Sequence, residues 1–193
     1  MCKSFSLLYS FCPTLRCNSG GFNNNTTLLS SSYVSGITIF NKNKTSISLL
    51  NVSGVSIFNN NTKLISSLIV SGVSIFNNNT TLVSSLNVSG KTIFNNNISL
   101  ISSLNVSGIT ICNNNTTLLS SLNVSGYSRL VNSATLVSSL NVSGLTTSSK
   151  NTTICGTLHI SGYSMLLNNT PLLSSLNVSG LTTLFNTTTI FGT

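Results

Sequence analysis

The residues of this chain that could do chemistry are few and far apart. His159 is the single histidine among 193 residues, and there is no Asp or Glu to orient it. General acid–base catalysis needs a group of tuned pKa held against a substrate, and a nucleophile needs a base beside it. A zinc site needs clustered Cys and His. Only Cys155 and His159 come near that, and two ligands do not make a site. Calcium needs carboxylate oxygens, which the chain lacks. His159 stands where the repeat described below carries Asn, so it reads as variation at a surface position. The expectation is a non-enzymatic protein with no cofactor and no metal.

The charge balance is equally lean. Only 4% of residues are charged, all of them basic, for a net charge of +8. They are spread along the chain, with only Lys42 and Lys44 close together, and no basic stripe of the kind nucleic-acid binding needs is present. Hydrophobic content is 40%, which excludes the disorder signature of low hydrophobicity with high net charge. No apolar run is long enough for a transmembrane helix. Neither nucleic acid nor membrane insertion is expected.

A different kind of chemistry lies in side chains that recur in columns. Candidate surface pairs are Thr81 with Val83, Thr117 with Leu119, Thr135 with Val137, Asn87 with Ser89, and Asn105 with Ser107. What positions them is a period. Glycine recurs every eighteen residues from Gly36 to Gly180, and Ser-Ser-Leu-Asn-Val-Ser-Gly occurs five times verbatim. A fixed short period means one unit stacked on itself. Inside it runs a period of six. Stepping from Phe22 to Ile190, only Ser46 and Ser148 are polar. Residues two earlier share the same strand face and are small or aliphatic: Leu86, Thr92 and Ile98 are one set. The other positions are mostly Asn, Ser, Gly and Thr, the residues of turns.

On these residues the chain resembles the left-handed parallel β-helix, or hexapeptide-repeat, family over residues 22–193. In that family an aliphatic residue recurs every six, a small residue precedes it by two, and three hexads make a triangular coil. Two departures stand out: Phe recurs on one side, and glycine occurs at only one of the three turns. The resemblance implies an all-β fold, a single-stack parallel β-helix (β-solenoid) with 18 residues per triangular coil and left-handed winding. About nine and a half coils at ~4.8 Å give a rod roughly 45 Å long. Residues 22–193 form the solenoid, and residues 1–21 an irregular capping segment whose start faintly resembles a secretory signal. The five cysteines are odd in number and irregular in spacing, which argues against a disulfide framework.

One coil then has three faces: Leu86 to Ser89 (face A), Thr92 to Asn95 (face B) and Thr80 to Val83 (face C). Corners fall at Ser-Gly, Asn-Asn-Asn and Ser-Ser, where Asn and Gly are expected to adopt left-handed backbone angles. Exposed apolar stripes follow on faces B and C, and such stripes usually mark interfaces. Three explanations stay open. Rods associate side by side, the stripes are themselves a binding face, or face B is reversed, with Ile inside and Phe outside. A reversed face would turn Asn59, Asn77, Asn95 and Asn113 inward as a ladder, as in right-handed β-helices. The Asn-Val-Ser units at Asn51, Asn87, Asn105, Asn123, Asn141 and Asn177 are also glycosylation sequons, which a chain of this composition makes by chance. The array runs to Thr193 without a change of composition. That suits a fragment of a longer array, or an open end that joins another molecule.

The functional expectation is a structural or adhesive rod: a fibre shaft, spacer or surface display element. Its repeats are similar to those in shafts of phage and large-virus fibres and in repetitive surface proteins. Self-association, side by side or end to end, is the partner expected, on a virion or cell surface or outside the cell. Alternatives are ice binding through the Thr-x-aliphatic ladder, a glycan surface, or translated repetitive sequence without a selected function. An acyltransferase site would need a loop interrupting the period, and none interrupts it.

Overall fold

The computed structural model describes residues 14–29 and 31–190, and for residues 14–20 the backbone alone. Alternation of apolar and polar residues in three-residue runs, reset by turn residues, favours short strands that cannot pair locally. They pair instead with their counterparts one repeat away. Leu86, Asn87 and Val88 lie in parallel register with Leu68, Ile69 and Val70 on one side and with Leu104, Asn105 and Val106 on the other. All pairings are parallel, and the described residues contain no helix. The chain is an all-β parallel β-solenoid of about nine coils of eighteen residues.

Each coil contributes three strands, such as Leu86–Val88, Lys91–Phe94 and Ile98–Leu100. Faces A and B join in one 18-stranded sheet, and face C forms a 10-stranded sheet. The first two merge because backbone pairing does not lapse at the Ser-Gly corner. The N–H groups of Ser107 and Gly108 both donate to the Val88 carbonyl, at 2.8 and 3.1 Å, and Ile109 donates to the Gly90 carbonyl at 2.8 Å.

The core is a single column. Val88, Phe94 and Leu100 point inward with their partners from the neighbouring coils, as far as Leu172 in the array. Face B settles with Phe inside: Phe22, Phe40, Phe58, Phe76 and Phe94 stack with ring centroids 4.4–4.9 Å apart. The rings fit because the residue two earlier is only Gly, Ser or Thr. Asn59, Asn77, Asn95 and Asn113 do form a ladder, but on the outside.

Apart from the one at Asn186, the described corners do not use left-handed backbone. Among the described residues no glycine has positive φ, and Asn186 (65°) is the one residue that does. Glycine is required for a different reason. A Cβ at Gly108 would lie 2.0 Å from the Gly90 carbonyl oxygen, and the same clash recurs at each repeat glycine from Gly54 to Gly180. The coil beneath leaves no room for a side chain.

The start of the array departs from the strict period. Strand Thr14–Phe22 pairs with Ser31–Phe40, and the register shifts by one residue between Cys17 and Ser19. The ladder therefore reaches back into the segment expected to cap the rod. The signal-like start, within residues 1–13, lies outside the described residues.

Candidate interaction surface

Strand alternation turns every second residue outward, and register aligns these residues in columns along the axis. On face C, Thr117, Leu119, Thr135 and Val137 are exposed, and Thr81 and Val83 are half-buried. The aliphatic member of the pair continues through the array as Leu29, Ile47, Ile65, Ile101, Leu119 and Leu173, each 38–49% exposed. No charge interrupts this column. Cys155 shares it and is half-buried.

On face A, Asn87 and Asn105 are half-buried and Ser89 and Ser107 are exposed. The amides join head to tail: Asn105 Nδ2 donates to Asn87 Oδ1 at 2.8 Å, Asn123 to Asn105 and Asn141 to Asn123 at 2.7 Å. Sequence reasoning placed these residues outward but missed their mutual bonding, which follows from identical residues at the strand-to-strand spacing. A shallow groove of about 160 Å³ runs between this ladder and the serines Ser107, Ser125 and Ser143. The ladder stops at His159, which follows Asn141 in register and lies 3.5 Å from Ser161 Oγ through Nε2.

A second amide ladder marks the edge of face B. Asn41 donates to Asn23, Asn59 to Asn41, Asn77 to Asn59, Asn95 to Asn77 and Asn113 to Asn95, at 2.7–2.8 Å. It spans nearly the same coils as the Phe stack inside. Face B itself presents Ile39, Ile57, Ile75, Ile93 and Ile111, all half-buried, beside more exposed positions such as Ile37 (57%) and Ile109 (40%).

The interior holds two features that no surface argument finds. Lys44 stands in the inward Thr column of face C, 1% exposed, with Nζ 4.3 Å from the centre of the Phe40 ring. Ser46, two residues on, replaces the usual Leu and leaves room for it. Strand phase alone carried this signal, because Lys44 is the i−2 partner of one of the two polar exceptions in the six-residue series. The second feature is a row of buried hydroxyls on face B, from Thr38 through Ser74, Thr92 and Thr110 to Ser164. None of these has a hydrogen-bond partner within the protein.

The described residues bring together no group of three metal-ligating side chains. Cys112 is fully buried in the Phe column, and burial pushes its thiol up to about 12 against a weaker opposing hydrogen bond from Thr116. It is therefore a neutral core side chain at physiological pH, not a nucleophile. What the arrangement can do is present straight, repeating columns of amide, hydroxyl and aliphatic groups. Compared with protein-family models, curated proteins and solved structures, the chain gives no match.

Proposed function

We propose that this chain is a non-enzymatic structural rod: a fibre shaft, spacer or surface display element of the left-handed hexapeptide-repeat type. The observation that carries the reading is the unbroken register of every coil after the first. From Asn51 to Asn177 the same positions face each other without an inserted loop or a slip. A protein that needs a unique site breaks its repeat to build one, whereas a spacer needs only length. The uncharged aliphatic column on face C supports side-by-side contact with a second copy, whose own column repeats at the same ~4.8 Å spacing.

Small-angle scattering and negative-stain microscopy test this reading. The expected particle is a rod ~45–50 Å long, and Leu119→Lys with Ile101→Lys should shift any lateral dimer to monomer in sedimentation. An isometric particle would overturn the reading. A second reading, ice binding, is favoured by one observation: the Thr and aliphatic columns of face C are both outward and in axial register. Thermal hysteresis in the parent chain, abolished by Thr117→Lys, is the expected result under that reading.

A further inference from the structure

The residues whose side chains are described include five exposed cations, and four of them lie on face B or the corner that ends it. Lys91 and Arg129 stand on the outer surface of face B. Register fixes them there, with Lys91 beside Val73 and Ile109, and Arg129 beside Ile111 and Thr147. Lys42 and Lys150 occupy the corner that ends face B, in the column of Asn96, Asn114 and Asn132. Lys63 is one step further round, on face C. Face A carries Arg16 in the first coil, where register sets it beside Tyr33, and no Lys or Arg in the coils that follow. The sequence shows scattered charges, and coiling places four of these five exposed cations on face B or the corner that ends it.

The same face exposes aliphatic side chains near the cations, Ile37 and Ile109 among them. This combination constrains what can cover it. A second copy would set cation against cation, and the chain has no Asp or Glu to compensate; like charges brought close in a desolvated contact repel. The occupant must therefore supply anions. A pure polyanion such as nucleic acid satisfies the cations but leaves the aliphatic columns with no apolar partner. A layer with anionic groups above hydrocarbon satisfies both.

We propose that face B docks on the surface of a lipid bilayer that carries anionic headgroups. Lys42, Lys91, Arg129 and Lys150 meet the headgroups, and Ile37 and Ile109 reach the acyl boundary. From Lys42 to Lys150 is six coils, ~29 Å along the axis, so the rod lies along the membrane plane. Docking of this kind is peripheral. No helix among the described residues is long and apolar enough to cross a membrane. The inference goes beyond the rod reading and stands or falls separately from it, since a rod that ignores lipid remains a rod.

The test is co-sedimentation with vesicles of phosphatidylcholine, alone and mixed with phosphatidylserine, at low and high salt. The parent chain is expected to bind only the mixed vesicles, and less as salt rises. Replacing cations with residues suited to these strand and corner positions (Lys42→Asn, Lys91→Thr, Arg129→Thr, Lys150→Asn) should lower the partition coefficient about fivefold per cation. Circular dichroism of each variant checks that the coils persist. Lys63→Thr on face C should lower it less than any of the four. Ile37→Thr combined with Ile109→Thr should weaken the binding that survives at high salt. The proposal is overturned if the parent chain ignores phosphatidylserine at low salt, or if Lys63→Thr matches the face B variants. It also falls if the isoleucine pair makes no difference while DNA displaces the vesicles, which would identify a polyanion site.

Discussion

A methyl group at Gly108 would overlap the carbonyl oxygen of the coil below, at 2.0 Å, whereas one at Gly21 would meet nothing within 4 Å. Gly108→Ala is therefore expected to destabilise the protein by about 3 kcal/mol, from overpacking against backbone that cannot move aside. Gly21→Ala should stay within about 0.5 kcal/mol of the parent. Denaturant unfolding of the pair checks both, and equal effects would refute the steric account. The buried hydroxyls of face B give the opposite sign. Thr92 Oγ1 has lost water and gained no partner in the protein, so Thr92→Val, which keeps the shape, should raise stability by about 1 kcal/mol. A loss in the same unfolding assay would mean that the hydroxyl is satisfied in solution. Lys44 is the residue that reading for composition misplaces: one of eight scattered cations in the sequence, it is a core side chain in the solenoid.

At the scale of strands and corners, the sequence made the faces legible and the corners illegible, for separable reasons. Inward and outward positions depend on alternation inside a three-residue strand, which is local. That is why Val88, Phe94 and Leu100 could be placed in the core and Asn87 on the surface. The reason for glycine at the corner is eighteen residues away, in the carbonyl of the preceding coil. A local rule about turn residues therefore supplied the wrong cause for the right residue. The amide ladders are similar, since no single Asn announces a bond to the Asn one coil below. Position within a ladder also sets its worth. Asn123 both donates to Asn105 and accepts from Asn141, whereas Asn87 sits at the ladder's end beside Ile69. Asn123→Ala should cost about 1–2 kcal/mol and Asn87→Ala about half of that. Thermal melts of the two variants give the ratio, and equal losses would show that the ladder adds nothing beyond single contacts.

For the whole molecule, the coil is the unit of tolerance. Removing residues 91–108 joins Gly90 to Ile109 and restores every column, so the shortened chain should fold with an unchanged circular dichroism shape and a rod ~4.8 Å shorter. Removing 91–99 joins Gly90 to Leu100, mismatches every face above the cut, and should abolish cooperative unfolding. If both deletions fold alike, register does not hold the stack. The same register decides how the rod answers a pull. The backbone bonds that tie Val88 to Ser107 and Gly108, and Gly90 to Ile109, run between coils and along the axis. Tension applied end to end therefore falls on one rung at a time and peels it open like a zip. Each released coil yields ~60 Å of slack chain, so the solenoid would work as an extensible tether that gives way in equal steps.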